Sequence, residues 1–519
     1  MARTTARIAR ITPPFSWLGP YTTVVGLLGT VLIAAAFRTW HLDLLPPGLQ
    51  TTVASSALQS IKLLEHGTVP GFNPANDYAP AWVVLQALPI SLFGTTALAL
   101  KLWPALLGTL AVLTSWLWLQ SWFGRRVAWI GALTLAVIPW TVTLSRSGSP
   151  VAIAPLLLTL SLWLATAVWR RGRPLAIAGL VLTLIADLFF GPLGWAIAAT
   201  LTVLGAVQLI HERHAQLITK GRLVTSVLGL AGLATFAVAA ASSAHDLQNL
   251  PGVAHLTFNA SQWLGSASAV VLMIFAPNAG DINYQHNLAG EPLLNAFLGL
   301  MFVAGFLVSL SRLQHRRYRW VLGCLALLLI PGVVTTVGVP NAARIYAAAP
   351  VVAAVAAIGT SYLLELWFAT FPINSAARSG GQAAVLVLLG LTVFLSYTQY
   401  FRAWGQMSEV YAASNDGPAH LAANLKTDKF AGQRYLVVPA AQRDIVAYLS
   451  HGGPSYTTLN PTDIADLPTA STPRQFWMTP ETRDAAMKLI KAKFPGGVLR
   501  PHYSTFNQTE IYYTYEASK

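Results

Sequence analysis

Residues 100–143 read LKLWPALLGTLAVLTSWLWLQSWFGRRVAWIGALTLAVIPWTVT, two apolar blocks at 100–121 and 126–143 parted by Phe123-Gly124-Arg125-Arg126. A helix rises about 1.5 Å per residue, so about 20 apolar residues cross the hydrocarbon core of a bilayer. Both blocks have that character, and the arginine pair between them suits a short loop on the basic side of a membrane.

The pattern repeats outward in both directions. Apolar blocks of spanning length lie near 20–38, 150–169, 175–190, 192–210, 223–241, 293–311, 320–338, 347–369 and 383–401. Of the 519 residues 54% are hydrophobic and only 10% charged, with a mean hydropathy of +0.54. A soluble domain carries roughly a quarter charged residues, so the bilayer is the main solvent. The net charge of +14 does not point to nucleic acid. Its sources are short loops such as Arg170-Arg171-Gly172-Arg173 and Arg312 to Arg319, a positive-inside signature. The single cysteine, Cys324, lies inside an apolar block, which excludes a disulfide framework and a thiolate metal site. Arg3, Arg7 and Arg10 precede the first block, which is expected to be an uncleaved first span.

Parity fixes the expected topology. With about eleven spans and a cytoplasmic N-terminus, the clusters Arg125-Arg126, Arg170 to Arg173, Arg213 to Arg222, Arg312 to Arg319 and Arg378 all fall inside. Counting the shorter stretch 80–95 as a span would move most of them outside. Residues 80–95 and 262–276 are therefore expected as re-entrant or juxtamembrane helices on the outer face. The expected architecture is an all-α polytopic membrane protein of the plasma membrane, with residues 1–401 as the transmembrane domain and outer loops at about 39–99 and 242–292. Prolines in Leu44-Leu45-Pro46-Pro47-Gly48 stop the first helix, and Thr51 to His66 follows as an amphipathic helix on the bilayer surface.

Residues 402–519 change character. Asn415-Asp416-Gly417-Pro418 marks a linker, Tyr435-Leu436-Val437-Val438-Pro439 a buried strand, and Thr479-Pro480 the start of a helix running to Lys493. An alternating strand near Thr509 to Tyr515 completes a small extracytoplasmic α/β domain. It carries no phosphate loop, nucleophile elbow or metal-ligand spacing.

Several short pieces occur in a distinctive order: Leu42-Asp43-Leu44-Leu45-Pro46-Pro47-Gly48-Leu49, Leu92-Phe93-Gly94, Phe123-Gly124-Arg125-Arg126, Pro139-Trp140 and Ser145-Arg146-Ser147-Gly148. Gly280-Asp281-Ile282-Asn283-Tyr284-Gln285-His286-Asn287-Leu288, Gly290-Glu291-Pro292 and Pro340-Asn341-Ala342-Ala343-Arg344 continue it. Together they resemble the GT-C glycosyltransferases, the class that includes proteins similar to dolichyl-phosphate-mannose protein mannosyltransferases and bacterial aminoarabinose transferases. The resemblance implies transfer of a sugar from a polyprenyl-phosphate carrier on the outer membrane face to a cell-envelope acceptor. The implied partners are a lipid-phosphate-linked sugar and membrane lipids.

One departure bears on mechanism. Where the family follows Pro-Pro-Gly-Leu with a His-Pro-Asp-Glu-Ala stretch, this chain has Gln50-Thr51-Thr52-Val53-Ala54, and a second family glutamate falls on Ala79. An acceptor hydroxyl must lose its proton as it attacks the anomeric carbon, and losing the general base costs about 100- to 10,000-fold in rate. Asp43 and Asp77 are the carboxylates nearest the vacated positions and are the candidate catalytic residues, unless Asp43 only orients the loop and Asp77 caps the next helix. By the resemblance, Arg344 meets the carrier phosphate, and Arg146 has a similar phosphate reading; snorkelling is the alternative for Arg344. Asp281, His286, Asn283 and Asn287 form the densest polar cluster of the outer loops. They are expected to position substrate, bind a metal or satisfy loop backbone groups, and a lone Asp and His supply no ligand motif for a divalent cofactor. Two other functions stay open: a catalytically inactive homologue that binds lipid-linked glycan or scaffolds an envelope complex, and a transporter of lipid-linked sugars, against which the chain shows no internal repeat.

Overall fold

The structure is a computed structural model that describes residues 22–68, 79–214, 260–334, 338–468, 472–504, 506 and 508–517. The apolar part consists of α1 (Thr22–Thr39), α2 (Thr51–His66), α3 (Pro80–Phe93), α4 (Ala97–Phe123), α5 (Arg125–Val137), α6 (Pro139–Arg146), α7 (Ala154–Arg171), α8 (Pro174–Phe189) and α9 (Pro192–His214), followed by α10 (Ala260–Phe275), α11 (Ala296–Ser311), α12 (Arg316–Val334), α13 (Ala349–Thr370) and α14 (Ser375–Tyr397).

Among the described residues six helical segments are long and apolar enough to cross a membrane: Ala97–Phe123, Pro150–Arg170, Pro192–His211, Arg316–Val334, Tyr346–Thr370 and Ser375–Gln406. The bent pair α5–α6 makes a seventh if it is one span. The spans expected at 20–38, 175–190 and 293–311 fall on shorter apolar helices, and the one at 223–241 lies outside the described residues. Residues 80–95 and 262–276 are short apolar helices as well. Large apolar side chains face outward along the bundle, with Leu32 68%, Leu182 65% and Phe394 61% exposed, the surface that hydrocarbon tails would cover.

Two local devices hold the bundle. Small residues let α11 and α13 touch backbone to backbone: a Cβ added at Gly305 would lie 1.8 Å from Val355 O, and one at Gly359 would lie 2.0 Å from Met301 O. Between α5 and α6 the chain bends by 56° because Pro139 has no N–H to continue the ladder. Carbonyls freed there are met by side chains: the buried Arg38 fork donates to Leu135 O at 3.1 Å and Ala136 O at 2.8 Å, and Thr141 Oγ1 donates to Leu135 O at 2.7 Å.

The C-terminal part contains α15 (Ser408–Ala413), α16 (Asp416–Thr427), α17 (Ala440–Leu449) and α18 (Pro480–Lys493) around a five-stranded sheet of order β2-β1-β3-β5-β4. Its strands are β1 (Gln433–Val437), β2 (Thr457–Thr458), β3 (Arg474–Met478), β4 (Val498–Tyr503) and β5 (Glu510–Ala517). β1 pairs in parallel with β2 and β3, whereas β5 runs antiparallel to both β3 and β4. Pro480 opens α18 as the sequence suggests, but Thr479 makes no side-chain cap bond.

This domain sits on the first loop. The face of α2 carrying Val53, Ala54, Ala57 and Ile61 packs with Ile445 and Tyr448 of α17. Thr51 Oγ1 donates to Ala441 O at 2.8 Å, and Lys426 Nζ donates to Thr95 Oγ1 at 2.8 Å.

Candidate functional site

At the domain-side end of the bundle, the loop between α10 and α11 meets the turn that leads into α13. Gly280 starts the loop in close backbone contact, donating to Gly290 O at 3.1 Å, and a Cβ there would lie 2.0 Å from Glu291 O. The next residue, Asp281, is 2% exposed. Its Oδ1 accepts the Asn283 N–H at 2.8 Å, while its Oδ2 accepts the Ala342 N–H at 2.8 Å and faces His286 Nδ1 at 2.7 Å. A carboxylate oxygen accepts, so opposite Asp281 Oδ2 the His286 ring carries a proton on Nδ1 and turns Nε2 away from the carboxylate. Asn287 donates to Glu291 O at 3.2 Å and serves the loop itself.

Asp281 thereby ties two segments distant in sequence. Arg344 lies two residues beyond Ala342, half-buried, with its N–H on Asn341 Oδ1 at 3.1 Å. Burial lowers the Arg344 pKa from its ordinary value, and the Asp281 carboxylate opposes that shift. The turn is anchored from below by Trp140 Nε1 on Ala342 O at 3.2 Å and by Tyr346 Oη on Thr141 O at 3.1 Å. Asp281 therefore contacts His286 directly and, through the Ala342 amide, the turn that carries Arg344, which lies within its electrostatic range.

Arg146 is placed differently. It is fully buried, and its Nη atoms donate to Phe37 O, Trp40 O, His41 O and Leu45 O at 2.7–3.1 Å, with Tyr400 and Phe401 against the guanidinium. It gathers the end of α1 and the first loop. Asp43 is exposed on that loop, and Asp77 lies outside the described residues.

Two residues that the sequence reading passed over belong here. Lys101 is 1% exposed at the start of α4 and donates to Pro46 O at 2.5 Å, with Asp43 and Asp416 in electrostatic range. Asp416 opens α16 at 6% exposure, and its Oδ2 is buried without a hydrogen-bond partner among the described residues. A charge at the start of an apolar block was the available signal for Lys101. Asp416 looked like part of a linker. The layers are stitched together: Asn415 Nδ2 donates to Leu49 O at 3.0 Å, Gln285 Nε2 to Ala413 O, and Trp404 Nε1 to Tyr284 O at 2.9 Å. First loop, Asp281 loop and domain linker thus form one hydrogen-bonded surface. Among the described residues no group of three or more His, Cys, Asp or Glu side chains converges as a metal site would require.

No protein-family model and no curated protein matches the sequence. Solved structures match its fold. ArnT from Cupriavidus metallidurans, bound to undecaprenyl phosphate, superimposes with a TM-score of 0.56 at 12% identity over 97% of this chain and 98% of that one. The apo oligosaccharyltransferase of Archaeoglobus fulgidus gives 0.52 at 16% identity over 94% and 70%. AglB from the same organism, in complex with an inhibitory peptide and a dolichol-phosphate, gives 0.50 at 16% identity over 97% and 75%. The chain has the fold of the GT-C membrane glycosyltransferases.

Proposed function

We propose that this protein transfers a sugar from a polyprenyl-phosphate-linked donor to a cell-envelope acceptor on the outer face of the plasma membrane, with eleven spans and the C-terminal domain outside. The observation that carries the reading is the buried Asp281 carboxylate, which binds the Ala342 amide and His286 at once and so ties the imidazole to the segment that carries Arg344. The similarity to ArnT bound to undecaprenyl phosphate and to AglB in complex with a dolichol-phosphate supports a lipid-phosphate ligand.

In this mechanism Arg344 binds the carrier phosphate through its guanidinium. The acceptor hydroxyl attacks the anomeric carbon, its proton passes to His286 Nε2, and the bond from that carbon to the phosphate oxygen breaks. The electron pair leaves on the phosphate, where Arg344 neutralises it. Asp281 stabilises the imidazolium and fixes its tautomer, the logic by which an acid orients a catalytic histidine elsewhere. His286 thus fills the role left open at Gln50 to Ala54 and at Ala79, ahead of Asp43 and Asp77. Arg146 is a positioning residue that holds the first loop.

Those vacated positions also favour a second reading, a homologue that binds the lipid-linked sugar without turnover. Transfer of radiolabelled sugar from polyprenyl-phosphate donors by purified protein in lipid tests both. Labelled acceptor is expected; donor binding with no transfer for any donor would establish the second reading.

A further inference from the structure

We propose that the opposite end of the bundle holds the headgroup of an anionic phospholipid. α4 is 27 residues long, about 40 Å. One end lies beside Thr95 and Thr96, which bond to Lys426 and Tyr448 of the C-terminal domain. Its other end, at Ser121 and Trp122, opens onto two adjoining cavities of about 570 and 310 Å³. This is a membrane thickness away from the candidate transfer site.

The cavities share Thr166 and Arg170. The larger adds Arg173 over an apolar wall that includes Trp163, Leu164 and Leu175, and the smaller adds His315, Arg316 and Arg317 around Trp122. Among the described residues no Asp or Glu lines either one. The arginines are held in place: Arg170 donates to Ser121 O, Arg317 donates to Trp122 O at 3.0 Å, and the Arg316 guanidinium lies 4.5 Å from the Trp169 ring centre. α8 begins at Pro174 and α12 at Arg316, while α4 ends at Phe123 and α7 at Arg171, so the helix ends offset one another and the arginines carry the positive charge. Loops satisfying the positive-inside rule need only charge. Here the charge is arranged around a hollow with an apolar wall, which suits a phosphodiester with its acyl chains attached better than free phosphate. Basic pockets between helices at this depth take such headgroups.

The test uses the full-length protein purified in detergent and titrated with phosphatidylglycerol, phosphatidylcholine or inorganic phosphate, with bound lipid read by native mass spectrometry. Phosphatidylglycerol is expected to bind tighter than phosphatidylcholine and to be undisplaced by millimolar phosphate. Arg173→Gln and Arg317→Gln should each weaken it about fivefold, the scale of one basic residue near a membrane surface, and Lys491→Gln on the distal domain should leave it unchanged. Arg173 is exposed, so that variant reports even where Arg170→Gln fails to fold. Equal retention of phosphatidylcholine, displacement by phosphate, or an equal effect of Lys491→Gln would each overturn the proposal. Sugar transfer does not enter the readout, so this site stands or falls independently of the transferase reading.

Discussion

Asp281→Asn isolates the link between the two loops of the candidate site. The carboxylate accepts from Asn283 N–H, Ala342 N–H and His286 at 2.8, 2.8 and 2.7 Å. An amide offers one acceptor oxygen and an NH2 that only donates. Whichever way it turns, one backbone N–H is left facing a donor, and the Ala342 amide belongs to a residue that is 0% exposed. An unsatisfied buried donor costs about 1–3 kcal/mol, and losing charge assistance in the surviving bonds adds about 1 kcal/mol. The contact weakens by about 2–4 kcal/mol, which at 1.4 kcal/mol per decade is about 30- to 700-fold in local opening. Hydrogen exchange of the protein in nanodiscs reads this directly, because exchange of protected amides follows the opening equilibrium. Peptides covering 276–292 and 338–346 should both exchange faster by that factor while those from α13 hold. Acceleration confined to 276–292 would refute the bridge, and so would no change in either.

Other consequences are independent of that one. Arg344→Ala removes a charge-assisted fork from the phosphate and should weaken undecaprenyl phosphate binding by about 10- to 150-fold, with lysine restoring only part; an unchanged Kd removes Arg344 from the phosphate site. Gly280→Ala places a methyl 2.0 Å from Glu291 O, so the loop must shift, at about 1–3 kcal/mol, seen as a lower Tm in detergent and absent at an open position such as Gly390→Ala. His420 donates toward Asp416 at 3.4 Å, and this bond, against burial, raises its pKa from the ordinary 6.5. A raised histidine pKa means that the pair stabilises the fold fully below the unfolded value and loses that contribution as pH rises through the folded one. The Tm should therefore fall more between mildly acidic and alkaline pH than it does in His420→Gln, and parallel curves would contradict the assignment.

The membrane class was legible because apolar residues far outnumber what a globule of this length buries, and a resemblance carried by scattered short motifs pointed to the fold. The length rule was less informative at α1, α8 and α11, which are shorter apolar helices, so the expected count of about eleven exceeds the six or seven candidate spans among the described residues. The block at 126–143 reads as one span, whereas the chain bends at Pro139, and nothing local indicated that Arg38, about a hundred residues earlier, would cap the carbonyls freed there. Asp281 and His286 stood out in the densest polar cluster of the outer loops and Arg344 through the resemblance, whereas the Asp281–Ala342 bridge spans 61 positions and depends on tertiary packing. Arg146 illustrates the limit most clearly: a guanidinium fork fits a phosphate or a set of carbonyls equally well, and only the fold places four carbonyls around it. Lys101 and Asp416 were visible as charges but had no motif to connect them.

The most direct measurement is sugar transfer from a polyprenyl-phosphate donor by His286→Gln protein in lipid, alongside Asp43→Asn and Asp77→Asn, with donor affinity measured in parallel. The account predicts a loss of about 100- to 10,000-fold in kcat for His286→Gln, donor affinity retained, and near-normal turnover in the two aspartate variants. Full activity of His286→Gln, or turnover abolished by Asp43→Asn or Asp77→Asn instead, would contradict it.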